Sequence, residues 1–192
     1  MFKTLAYFDL FDYPLTRKEL IKYLHRGDSL KQDKKVSFSQ GFYFLAGRQR
    51  LIRLRRQRLY FSQLKWQRIR QLKWLFKLIP WIKLVAVTGA LAMDNARKND
   101  DIDLLIITQA NRLWLTRLLL FFFPYRRRRH FSANTFCFNL FLDESALELT
   151  QRNLFVAHEL AQLKPLVDKD NTYQKLIKAN LWLKTYLSNW SI

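Results

Sequence analysis

The sequence predicts an α+β fold, a small mixed sheet with flanking helices, preceded by a compact helix-and-hairpin unit. Three observations carry that reading. Val85, Ala86 and Val87 form an apolar run that ends at Gly89, and Leu104 to Ile107 form a second run. Asn134 to Asp143 alternates as a third strand. Around these runs the apolar residues recur at helical spacing, from 47 to 79, from 113 to 123 and again beyond 146.

Composition bounds the answer. The chain of 192 residues suffices for one large domain or two small ones. Hydrophobic residues make up 49%, which supports a core, and only four glycines and four prolines argue against low complexity. A single cysteine, Cys137, excludes an intramolecular disulfide framework and suits a reducing compartment. The formal charge of +19 points to polyanionic partners: a nucleotide, nucleic acid or an anionic surface. The first residues carry Asp9 and Asp12 and lack a small-residue cleavage site, so no signal peptide is expected. The apolar run from Leu118 to Pro124 falls far short of the ~20 residues of a membrane span, so no transmembrane segment is expected and the localisation expected is cytoplasmic.

In chain order, residues 1–60 form the front unit. Leu5, Phe8, Leu10 and Phe11 make an apolar stripe closed by Tyr13-Pro14, and Thr16 with Glu19 is a capping box for a helix carrying Leu20, Ile21 and Leu24. After a polar stretch, residues 36–45 read as a hairpin broken at Gly41. Two helices followed by a hairpin are a winged-helix-like arrangement, used either to grip DNA or to pack and dimerise; no clear basic recognition helix lies between Leu24 and Val36. A basic connecting helix follows over 61–80, overlapping a wider stretch from 47 to 79 rich in arginine and lysine. Arg53, Arg55 and Arg56 are its candidates for polyanion contact; a solvated helix face is the other reading.

The chemistry-bearing stretch lies in residues 81–148. Gly89 permits a tight exit from the first strand into a helix near Ala90, whose free N–H groups favour a phosphate. Asp101 and Asp103, two apart at the head of the second strand, would share one face about 7 Å apart along the chain. Such a pair suits Mg2+ or Mn2+ completed by phosphate and water. Gly89-Ala90, ten residues, then Asp101-Ile102-Asp103 resembles the glycine-serine, spacer, Asp-x-Asp signature of the polymerase-beta-like nucleotidyltransferase superfamily. The segments YFDLFDYPLTRKEL, GFYFLAGR, NRLWLTR and LFVAHELAQLKPL are also similar to uncharacterised bacterial proteins that join a winged helix to such a domain. Two departures stand out. Ala90 occupies the usual serine position, and the third strand, which in that superfamily often supplies a third acid, offers Asn139 at the nearest place.

On that third strand, Phe136, Phe138, Leu140 and Leu142 are expected on one face and Cys137, Asn139, Phe141 and Asp143 on the other. The apolar helix from about 111 to 123 is expected to cover the sheet, and Arg126, Arg127, Arg128 and Arg129 after it could bind a triphosphate or nucleic acid, or simply form a solvated loop. Residues 149–192 are expected to be helical, with helices over 149–163 and from Asn171 onward. His158-Glu159 lacks the second histidine of a zinc-protease helix, which leaves His158 a packing or hydrogen-bonding residue. The resemblance implies magnesium-dependent transfer of a nucleoside monophosphate from a nucleoside triphosphate to an acceptor. The alternative is an impaired relative that binds nucleotide or DNA in a regulatory role.

Overall fold

The structure is a computed structural model and describes residues 1–31, 33–122 and 136–191. It is a mixed α+β protein with two small sheets and flanking helices, and its chain separates into two compact units. One comprises Met1–Tyr60, Gln151–Ala161 and Trp182–Ile192; the other comprises Phe61–Thr150 and Gln162–Leu181. Residues 149–192, read from sequence as C-terminal helices, are therefore divided between both. Within this stretch, the strand Lys164–Asp168 pairs with the strand Ile82–Val87, and the helix Thr172–Ala179 packs on the latter.

In the first unit, α1 (Phe2–Asp9) is followed by β1 (Leu15–Thr16), α2 (Arg17–Lys22) and the hairpin β2 (Val36–Ser39) and β3 (Phe42–Leu45). The strands form an antiparallel sheet in the order β1-β3-β2. Thr16 accepts from the Glu19 N–H while the Glu19 carboxylate accepts from the Thr16 N–H, the reciprocal cap that starts α2. Gln40 and Gly41, at φ +49° and +86°, turn the hairpin with both central residues left-handed, which matches the strand twist. Among the described residues none between Tyr23 and Lys35 is helical. The stripe on α1 buries Leu5 and Phe8, whereas Leu10 and Phe11 beyond the helix end face solvent.

Two histidines far apart in sequence close this unit. His25 Nε2 and His158 Nε2, the latter on α6 (Leu154–Gln162), lie 2.9 Å apart, one donating and the other accepting. Tyr7 stacks on the His158 ring at 4.2 Å and Phe8 meets it edge-on. Burial pushes His158 down from 6.5 to about 3, with the neighbouring His25 adding to the effect. Burial also lowers His25, opposed in part by Asp28. A base depressed in the folded state stabilises the fold above its unfolded value and loses that contribution as pH falls. We therefore expect stability to drop by about 2 kcal/mol between pH ~6.5 and pH ~5. Urea melts of the wild type and of His158→Phe check this: the wild type should show the slope and the variant should flatten it.

The second unit is built on a four-stranded sheet ordered β6-β5-β4-β7. Its strands are β4 (Ile82–Val87), β5 (Ile102–Thr108), β6 (Phe136–Asp143) and β7 (Lys164–Asp168). Strands β4 and β5 are antiparallel, β5 and β6 parallel, and β7 pairs antiparallel with β4. Strand β7 replaces the expected end of a helix near Pro165. It is an edge strand, where a proline without an N–H is tolerated. The long helix α3 (Leu51–Lys77) places Ile69 and Phe76 in a fully buried core with Val85, Val87, Leu104 and Ile106. A single turn, α4 (Gly89–Ala92), follows β4. Helices α5 (Leu113–Phe121) and α7 (Thr172–Ala179) complete the unit.

One expectation is corrected here. The parallel register runs Leu104 with Phe138, then Leu105 with Leu140, so Asn139 is an extra residue at an irregularity in β6. The bulge reverses the alternation: Phe136, Phe138 and Phe141 face the core while Leu140 is exposed. Helix α5 packs on β5 and β6 as expected, burying Thr116 and Leu120 against the sheet, but leaves most of its large apolar side chains exposed.

Candidate functional site

The site grows from the end of β4. The bond from the Thr88 N–H to the Asp103 carbonyl, at 3.0 Å, continues the β4–β5 register one residue beyond Val87 and Leu104. Directly opposed residues of an antiparallel pair point to the same face, and so do registered residues of a parallel one. Asp103 is registered with Cys137 on β6. Thr88, Asp103 and Cys137 thus form a row across three strands, on the face opposite the Val87, Leu104 and Phe138 core row.

Gly89 sits against this row in the left-handed region, at φ +61°. A Cβ at this position would lie 2.9 Å from Asp103 Oδ2 and within 4 Å of two further atoms of that side chain. The backbone corner and the carboxylate are therefore in direct apposition, and only glycine allows it. Thr88 is buried, and among the described residues its Oγ1 has no hydrogen-bond partner. A buried hydroxyl of that kind costs free energy unless something satisfies it. Asp101, half-buried, precedes the strand by one residue.

The connection from α4 to the acid pair is held by one face of α3. Ser62 Oγ accepts from the Ala96 N–H at 3.0 Å. Lys65 Nζ donates to the carbonyls of Lys98 and Asp100, at 3.2 and 2.6 Å. Trp66 Nε1 donates to Asp94 Oδ1 at 2.8 Å, and Lys164 Nζ reaches Asp94 Oδ2 at 3.1 Å. Ser62, Lys65 and Trp66 are spaced i, i+3, i+4, which sets them side by side on a helix. Burial lowers the Lys65 pKa, and the carboxylates of Asp100 and Asp101 oppose that shift. The loop entering the acid pair is thereby fixed by a buried cation.

Of the residues singled out from sequence, the structure brings Gly89 and Asp103 into contact, with Ala90 next in the same turn and Asp101 two residues before Asp103. Asn139 is exposed at the bulge, and the residue beside Asp103 is the half-buried Cys137. Asp143 lies at the far end of β6, accepting from the Asn111 and Ser145 N–H groups. The basic face is thinner than expected. Arg55 is only 9% exposed, bonds Glu19 at 2.8 Å and stacks over Tyr13, so it is withdrawn from polyanion contact. Arg58 is likewise turned inward to the Phe11 carbonyl and Asp12. Arg53 and Arg56 remain exposed, Arg56 bonded to Gln40. Arg126, Arg127, Arg128 and Arg129 lie outside the described residues.

Thr88, Lys65 and Cys137 were not singled out as site residues. Lys65 was legible in principle, as a cation on the apolar side of the i, i+3, i+4 pattern through Ser62, Trp66 and Ile69. Cys137 required the register, which no local pattern gives.

Among the described residues no three or more histidines, cysteines, aspartates and glutamates converge on a metal-sized site. No family model matches the chain, and no curated protein does. Among solved structures the chain is similar to one from a toxin–antitoxin assembly with AMP-PNP, at 17% identity and a TM-score of 0.33, over 60% of this chain and 87% of that one. A likeness of that size fixes neither the fold nor the chemistry.

Proposed function

We propose that the second unit is a nucleotidyltransferase-like core that binds a nucleoside triphosphate with a divalent cation and transfers its nucleoside monophosphate to an acceptor. The observation that carries this is the apposition of the Gly89 corner to the Asp103 carboxylate. Asp101 and Asp103 would hold Mg2+ or Mn2+. Two carboxylates and a buried Thr88 hydroxyl without a hydrogen-bond partner among the described residues fit a hard ion that completes its shell with phosphate and water, and among those residues do not make an all-protein cage. When bound, such an ion neutralises phosphate charge and orients the nucleotide for in-line attack.

The chain's own residues do the positioning. Gly89 lets the backbone approach a phosphate where any side chain would meet Asp103, and the Ala90 N–H extends that corner. Lys65 keeps the acid-bearing loop in one place, so that the carboxylates are preorganised. In the front unit, the order helix, strand, helix, hairpin supports a winged-helix-like reading in which packing is favoured over DNA recognition, since Arg55 and Arg58 are spent internally.

A second reading has its own observation. The place beside Asp103 is a thiol and not a carboxylate, so that position lacks a group ionised at neutral pH to activate an acceptor hydroxyl. Under that reading the site binds nucleotide without turnover. Incubation with labelled nucleoside triphosphates, Mg2+ or Mn2+ and a mixed acceptor pool separates the two. Transfer that falls at least ~10²-fold in both Asp101→Asn and Asp103→Asn supports the enzyme. Metal-dependent binding without transfer supports the second reading, and transfer unaffected by either substitution removes both.

A further inference from the structure

Helix α5 is apolar on the wrong side. Its buried residues are Thr116 and Leu120, yet Trp114, Leu115, Leu118, Leu119 and Phe121, with Phe122 just after it, are all exposed. Trp114 is 76% exposed and Phe122 74%. At about 100° per residue these six span an arc of roughly 160°, one edge of which, Trp114, Leu118 and Phe121, also walls an open cleft against Phe138 and Phe141 of β6. Single exposed apolar residues mean little, but a contiguous patch of this kind marks a contact surface.

Charge says what covers it. No acid lies within α5. Arg117 borders the arc, its guanidinium over Trp114 at 5.1 Å and over Phe141 at 5.3 Å, and Arg112 stands at the helix start. Asp143 and Glu144 near that start are turned into the Asn111 and Ala110 N–H groups. A second copy of a chain with net charge +19 would meet strong repulsion on approach. An apolar arc of aromatic and leucine side chains rimmed by arginine is the chemistry of a helix lying in a lipid interface.

From this we infer that α5 seats the protein on an anionic bilayer, lying in the headgroup region with Trp114, Leu118, Phe121 and Phe122 toward the acyl chains. It lies on the membrane and does not cross it: among the described residues no helix is long and apolar enough to span one. This inference does not depend on the nucleotide reading.

The test is co-flotation of the full chain with vesicles of phosphatidylcholine alone and of phosphatidylcholine with phosphatidylglycerol. The same is done for Leu118→Ser/Phe121→Ser, which leaves net charge unchanged, and for Trp114→Ser, with thermal melts to show that each variant folds. The expected result is binding to the anionic vesicles that persists in part at ~0.5 M salt, where surface charges are screened within about 5 Å. The double variant should bind at least about tenfold more weakly. Binding that is equal in the folded variants, or that vanishes completely in salt, would overturn the inference as mere charge adsorption. Self-association abolished by the same substitutions, with no vesicle binding, would overturn it in favour of a second copy.

Discussion

Gly89→Val should lose metal-dependent nucleotide binding by ~10²-fold or more while the protein still folds. Two physical terms act at this position. A β-branched residue at φ +61° is strained, at a cost of about 1–2 kcal/mol. In addition, the new Cβ would sit 2.9 Å from Asp103 Oδ2, so the carboxylate must move. Displacements near 1 Å in a reacting site cost on the order of 10²-fold. Gly47→Val separates the two terms. Gly47 has a similar conformation, φ +83°, but no atom within 4 Å of its would-be Cβ. It should lose comparable stability and keep nucleotide binding. Titration calorimetry with thermal melts reads both quantities; equal binding by the two variants would show that Gly89 matters only for its backbone.

The second large effect is a gain. Cys137 is registered with Asp103 on the parallel neighbour, where a carboxylate could serve as the base for an acceptor hydroxyl. If the site binds but turns over poorly, Cys137→Asp should raise transfer by roughly 10²–10⁴-fold, the usual contribution of a positioned general base. Cys137→Asn, which cannot take the proton, should raise nothing. An Asp at exposed Asn139 should also do little, because the bulge removes that residue from the row. Single-turnover assays with labelled triphosphate report the difference. Equal rates in wild type and Cys137→Asp would remove Cys137 from the catalytic row.

Much of this was legible in the sequence, for identifiable reasons. The capping box at Thr16 and Glu19, the hairpin turn at Gln40-Gly41 and the long helix through Lys77 are local signals, and each appears in the fold. The glycine exit and the acid pair were read from the strand and turn pattern and the resemblance it carries, and the fold sets Gly89 against Asp103. What escaped was set by pairing. Strand β7, only five residues with a proline inside, has no periodic signal and exists because β4 offers it an edge. The bulge at Asn139 is invisible to a period-two reading, which carried the alternation straight through, kept Asn139 on the same face as Cys137 and made Asn139 the nearest third position. Arg55 counted as surface charge until Glu19 and Tyr13 claimed it. His25 and His158, 133 positions apart, could be paired only by the fold.

The most direct test of the site as drawn is calorimetric titration of a non-hydrolysable nucleoside triphosphate into wild type and Asp103→Asn, each with Mn2+ or Mg2+ and again with chelator. The wild type should bind at least tenfold more tightly with the cation present, about 1.4 kcal/mol, and Asp103→Asn should lose that metal-dependent increment. Binding that is indifferent to both the cation and the substitution, or no binding by the folded wild type, would contradict it.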